Sequence, residues 1–361
     1  MNFNISNTQG GLNSNIVWNI AYDSQTNKLW LGTPKGLSML DTYNGKDIVS
    51  LLPSDKEPEQ DFFGLGASSF FYSNNGRLWI SGTHRGLASV YKTSNSFVNW
   101  TLPSGILYKD YISSLYYSSP SSIFVALRNN GFLTFNPTNT LDSKYYPVST
   151  SVNGFASIGN GEVAVCTERE GLMIYKDGEI IGAINTTNAS WLTDNCVYTM
   201  VVDDDNNWLV GSYKGLSIRY VNGKGVHLDG EKFGVLPTSQ IYTIVKSGNS
   251  VWLGTRNNGI LHLQGDIHNL KSLKVKQYDV LHDTKLKINT VKKIITDLNG
   301  TVWACSSEAG LLMYDKKIDG FVNANKMFGL PEDEICSVEL SKKGEILVSM
   351  RNNIAIITID A

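Results

Sequence analysis

The chain has 361 residues, 42% of them apolar and 11% aromatic, which is ample for a packed core. Its 31 basic and 33 acidic side chains leave a net charge of −2, so the molecule as a whole lacks the basic excess of a nucleic-acid binder. No apolar run reaches transmembrane length and no leader pattern opens the sequence, which therefore reads as cytosolic, or as a mature or excised piece of a longer chain.

The first segment, Met1-Asn2-Phe3-Asn4-Ile5 followed by Gly11-Leu12, resembles the last segment of later units, such as Phe321-Val322 ahead of Gly329-Leu330-Pro331. A short apolar strand comes next at Val17-Trp18-Asn19-Ile20, and then the phrase that organises the chain: Leu29-Trp30-Leu31-Gly32-Thr33-Pro34-Lys35-Gly36-Leu37. The phrase returns around Trp79, Trp208, Trp252 and Trp303, and weaker copies stand around Phe124, Ala164 and Leu347. Its turn-closing residues fall at 36, 86, 131, 171, 215, 259, 310 and 353, at steps of 40 to 51 residues. A period of that size, carrying four short strands per unit, is the signature of propeller blades. Turns rich in Asp, Asn and Gly, such as Asp203-Asp204-Asp205-Asn206-Asn207, mark hairpins between the strands. No stretch of ten residues has helical period.

The expected fold is all-β: a single domain over residues 1–361, built as one β-propeller of four-stranded blades. Eight blades are preferred, or seven if the unit around Ala164 is not a blade of its own. The last unit stops after a third strand at Ile356-Ile357-Thr358-Ile359, so the N-terminal strand is expected to complete the last blade and close the ring, removing exposed sheet edges. Cys166, Cys196, Cys305 and Cys336 all fall in expected strands, and their spacing is compatible with free buried thiols or with a disulfide between neighbouring blades.

The phrase Leu-Trp-Leu-Gly-Thr-x-x-Gly-Leu, with its Asp- or Asn-rich turn and frequent Gly-Leu-Pro, resembles the two-component regulator propeller repeat over nearly the whole chain. That family builds the periplasmic sensor regions of bacterial hybrid two-component systems. The resemblance implies a periplasmic or extracellular location, a part in two-component signalling and, since such sensors commonly respond to glycan breakdown products, an oligosaccharide ligand. The relatives usually carry two propellers, an immunoglobulin-like domain, a membrane span and a kinase. None of these follows here, so the expectation is a fragment of a sensor or a free-standing relative, attached to a membrane only through parts of a longer chain. A homodimer is also compatible with this reading.

Three sets of residues are candidates for ligand contact. The tryptophans of the repeated position, Trp30, Trp79, Trp208, Trp252 and Trp303, read as wedges between sheets. Trp18 and Trp191 stand outside that position. Trp191, in the polar loop after Asn185, is either a sugar-stacking residue or the cap of a local cluster. The first strands supply the second set: alignment places Trp18, Ser68, Ser113, Asn153, Tyr198, Tyr242, Asn289 and Cys336 at one position. Facing a central channel, they offer the aromatic faces and hydrogen-bonding groups that a sugar ring needs; turned the other way, they pack between blades. The third set lies in the turn before Gly-Leu, where Lys35, Arg85, Arg128, Arg169, Lys214, Arg256 and Arg351 recur and only the Glu308 unit lacks a cation. A crown of such cations would attract acidic oligosaccharides, although Glu168 and Glu170 flank Arg169. No metal-ligand spacing links the five histidines, no nucleophile elbow or phosphate loop is present, and Asp203-Asp204-Asp205 reads as a solvated turn. Neither a catalytic residue nor a cofactor is expected. The sequence thus points to a non-enzymatic, ligand-binding sensor propeller; a polysaccharide-cleaving propeller and a protein-binding scaffold are the alternatives.

Overall fold

A computed structural model describes residues 2–23, 26–42, 48–51, 66–72, 77–82, 87–91, 97–100, 112–119, 121–136, 139, 142–228, 240–282, 286–330, 335–341, 344–350 and 354–358. They form eight four-stranded antiparallel sheets, each pairing its strands in chain order, which is the architecture of an eight-bladed β-propeller. The first strands of blades one to eight are Asn19–Asp23, Ala67–Tyr72, Ile112–Ser119, Val152–Gly159, Val197–Val202, Ile241–Ser247, Val291–Thr296 and Ile335–Leu340. The unit around Ala164 is a blade of its own, the fourth. In the eighth sheet the fourth strand is Asn2–Phe3, which pairs antiparallel with Ile354–Ile357 through Asn2 to Ala355 and Phe3 to Ile354. The chain divides into two compact units: residues 1–149 with 330–361 hold blades one, two, three and eight, and residues 150–329 hold blades four to seven.

The second strand of each blade is buried along nearly its whole length, as in Lys28–Thr33, Ser122–Leu127 and Ser250–Thr255. Both its faces are buried, so its sequence is a continuous apolar run rather than an alternation. One residue near its end is always small: Gly32, Ser81, Ala126, Cys166, Gly211, Gly254, Cys305 and Ser349 occupy the equivalent pairing position. Space explains this. A Cβ on Gly32 would lie 2.6 Å from the Ala67 carbonyl oxygen at the start of the second blade, and one on Gly254 would lie 2.9 Å from Val291 at the start of the seventh. Cys166 and Cys305 are buried thiols at this position, and burial pushes the Cys166 thiol up to about 12. Cys196 is free, and it sits just ahead of the fifth blade's first strand rather than inside a strand.

The repeated tryptophans are buried wedges, between 1% and 7% exposed. Trp30 packs with Ala67, Leu78 and Ile80 of the second blade, Trp79 with Ile112, Ile123 and Val125 of the third, and Trp252 with Val291, Ile294 and Val302 of the seventh. They do not all share one position, as the sequence had implied. Trp30, Trp79, Trp252 and Trp303 stand two residues before the small residue, whereas Trp208 stands three before Gly211. That single step turns its ring to the other face of the strand. Trp208 joins Ala156 and Ala164 of the fourth blade, with the Arg219 guanidinium 4.3 Å over its ring, while Leu209 takes the position toward the sixth blade.

Four of the turns that close a repeat share a lock. The Thr33, Thr167, Ser212 and Thr255 hydroxyls, all fully buried, donate to the carbonyls of Gly36, Gly171, Gly215 and Gly259 at 2.9–3.1 Å and accept from turn amides. Glycine is required there on two counts. Gly171 and Gly259 have φ of +76° and +66°, and a Cβ would meet the Ile184 and Tyr278 carbonyl oxygens at 2.2 and 2.1 Å. The Asp-rich turns are locks of the same kind: Asp203 accepts from the Asp205 and Asn207 amides, and Asp297 accepts from Asn299, Thr301 and the Trp303 indole.

Two outcomes test this packing. Gly254→Val should cost at least about 1–3 kcal/mol, because the new side chain collides with Thr243 and Val291, while Cys305→Ala should cost only about 1 kcal/mol; urea denaturation compares the two. His262 is buried, stacked on Trp252 with ring centroids 3.6 Å apart and bonded to Ser250 at 2.9 Å, and burial lowers its pKa to about 4. The unfolded chain therefore takes up this proton first as pH falls. Stability should be full above about pH 6.5 and decline steadily toward pH 4, and His262→Gln should flatten that part of a urea-midpoint profile.

Candidate functional site

The first strands carry the feature that gathers the candidate residues. In seven blades the pairing with the second strand skips one residue near the strand start: Ser68, Ser113, Asn153, Tyr198, Tyr242, Lys292 and Cys336 each fall between two ladder positions. In the first blade Trp18 holds the same place, its amide donating to the Gly32 carbonyl at 2.8 Å just ahead of Asn19. Such a bulge re-aims one side chain without disturbing the register beyond it. The aligned position of the sequence is thus a real structural class, with one correction: in the seventh blade the bulged residue is Lys292, which is exposed, and not Asn289, which lies in the loop before the strand. The loop before Val291 is longer than the alignment allowed, and no turn residue marks where the strand begins.

Within residues 150–329 the row runs across adjacent first strands. The Asn153 amide donates to the Val197 carbonyl of the next blade at 2.8 Å. Tyr198 and Tyr242 meet edge to face with ring centroids 5.4 Å apart, and both are half-buried. Burial, then bonding with Cys196 and the neighbouring Tyr242, holds the Tyr198 phenol well above its usual range, and burial likewise raises the Cys196 thiol. Within the other unit Trp18 is 40% exposed and its six-membered ring lies against Gly66, where a Cβ would come within 2.7 Å of it. Ser68 reaches the Ser81 hydroxyl at 2.9 Å.

The cation-bearing turns lie beside the segments that lead into the first strands. The Glu168, Tyr213, Arg256 and Ser307 amides donate to the carbonyls of Ser151, Cys196, Gln240 and Thr290. The charges on these turns are unequal. Lys214 is ion-paired with Asp194 at 3.1 Å, and Arg169 is exposed between Glu168 and Glu170. Glu168 accepts from Ser151, and Glu308 accepts from the Thr290 amide and the Ser306 hydroxyl. Arg256 is different: its Nη1 bonds the Gln240 Oε1 at 3.1 Å, and the same oxygen accepts from the Tyr242 hydroxyl at 3.2 Å. Lys35 and Arg128 are exposed, while Arg85 and Arg351 lie outside the described residues.

Trp191 is brought to none of these groups. It is 9% exposed, packed with Leu192, Val197 and Trp208, and its ring lies where a Cβ on Gly225 would be, 2.6 Å away. Of the two readings of this residue, the structure supports the cluster cap. Sequence reasoning missed Lys292 and Gln240. Gln240 stands two residues before the aromatic Tyr242, a spacing that places both side chains on one side of an extended segment. Among the described residues no group of three or more His, Cys, Asp or Glu side chains is arranged to hold a metal ion.

In comparisons with known proteins, the sequence matches no family model and no curated protein. Solved structures do match. Sqt1 of Saccharomyces cerevisiae is similar at 11% identity and a TM-score of 0.68, with 96% of each chain covered. Streptogramin B lyase is similar at 13% identity and a TM-score of 0.52, covering 100% of this chain and 97% of that one. An extracellular domain assigned to a hybrid two component system of B. thetaiotaomicron matches at 17% identity and a TM-score of 0.45, over 99% of this chain and 53% of its own. This chain therefore spans about half the length of that extracellular domain. The likeness to Sqt1 and to the lyase shows a shared propeller fold.

Proposed function

We propose that the chain is a non-enzymatic ligand-binding propeller of an extracytoplasmic sensor and that it recognises an oligosaccharide. The signalling part of this reading rests on the repeated Trp-x-Gly-Thr-x-x-Gly-Leu phrase and its resemblance to the two-component regulator propeller repeat. The binding part rests on one observation: the bulged first-strand position sets the Tyr198–Tyr242 pair beside the Asn153 amide and the Gln240–Arg256 pair. A sugar has an apolar C–H face and a rim of hydroxyls. Aromatic side chains take the first, and amide and guanidinium groups take the second.

The expected result is binding without turnover. Calorimetry of the purified protein against a panel of neutral and acidic oligosaccharides should find a ligand, and Tyr242→Ala and Tyr198→Ala should each weaken it roughly tenfold, about 1.4 kcal/mol. Incubation with the same panel should release no new reducing ends or unsaturated products. Turnover would establish a polysaccharide-cleaving enzyme instead, and a panel without a ligand would leave the protein-binding scaffold, which pulldown with immobilised protein detects.

A further inference from the structure

We infer that Arg256, with Gln240, is the acid-selecting contact of this site and that the saccharide it takes carries a carboxylate. The inference rests on the oligosaccharide reading above. Among the turn cations of residues 150–329 it singles out one, since Lys214 is paired with Asp194 and Arg169 stands between two glutamates.

The argument is one of donors and acceptors. Arg256 can only donate, so the Gln240 side chain must turn its oxygen toward it. The Tyr242 hydroxyl donates its proton to that same oxygen. With Oε1 engaged twice, the Gln240 group left for a ligand is its NH2, a donor. The remaining N–H groups of Arg256 are donors as well. A patch of guanidinium and amide N–H groups next to an aromatic ring is complementary to a planar acceptor that bears negative charge, which a carboxylate is and a sugar hydroxyl is not.

The guanidinium is also held ready. The Arg256 amide donates to the Gln240 carbonyl at 3.0 Å, and the Arg256 carbonyl accepts from the Thr290 hydroxyl of the next loop at 2.5 Å. Fixing the main chain on both sides reduces the ordering cost when a ligand binds. Among the described residues no carboxylate lies within ion-pair distance of Arg256, whereas Lys214 at the equivalent turn of the fifth blade is neutralised by Asp194. Tyr242 then places the ring of the same sugar: its phenol is anchored by Gln240 and its face is set by the bulge.

The test pairs acidic trisaccharides containing galacturonate or glucuronate with their carboxyl-reduced counterparts, measured by calorimetry on the intact chain. The native protein is expected to bind at least one acid about tenfold or more tightly than its reduced form. Arg256→Gln should abolish that preference by weakening the acid about tenfold more than the reduced sugar, with the thermal midpoint unmoved. Lys176→Gln, at a distant hairpin, should leave both affinities as they are. Equal affinity for acid and reduced forms, or a preference that survives Arg256→Gln, overturns the inference while leaving the saccharide reading in place. Binding of neither form, by any member of the panel, overturns both.

Discussion

The structure depends on one spatial constraint: near the end of the second strand of the first, fifth and sixth blades there is room for a very small side chain and no more. At Gly32, Gly211 and Gly254 the start of the next blade's first strand passes within van der Waals distance of the backbone, and the equivalent residue of the other blades is Ser, Ala or Cys. Close approach there lets the large residues two positions earlier, Trp30 and Trp252, reach across and fill the space between sheets. A methyl group too many would separate the strands and leave those rings without partners. The small residue and the wedge are therefore one device, set by two positions on one strand.

The bulge belongs to the same device. The residue after it pairs with the small residue, so in the fifth and sixth blades the bulged residue falls next to the point of closest approach to the following blade. There the ladder is interrupted and a side chain is turned out of the sheet while the strand on either side keeps its register. The position costs the fold little specificity. It accepts Trp, Tyr, Lys, Asn, Ser and Cys across the eight blades, in contrast to the narrow choice at its neighbour.

This contrast explains what could be read from sequence. Blade count and strand order were legible because Gly, Trp and the Asp-rich turns recur for steric reasons that hold in every unit. The row of Trp18, Tyr198 and Tyr242 was legible because its register is tied to those fixed residues. Errors arose where a count of residues decides orientation. Trp208 looks like its counterparts and faces the other way because one residue more separates it from Gly211. Asn289 and Lys292 lie three residues apart, and the polar run ahead of the seventh blade has no turn residue to mark where the strand starts. The burial of Trp191 was hidden because a loop in sequence folds back onto the fifth blade in space. The pairing of Lys214 with Asp194, set against the neutral partner of Arg256, needed coordinates: charge along the chain does not tell which cations are already spoken for.

The hydroxyl-to-glycine lock has a further consequence, for how such a chain diversifies. Thr255 and Gly259 clamp the ends of their turn so firmly that the residues between them carry no share of the register. Those residues are interchangeable parts in a fixed socket. The charge of one turn can change within this frame, as the seventh blade has Ser307-Glu308 where the sixth has Arg256-Asn257. Recognition can drift one socket at a time while the scaffold stays put.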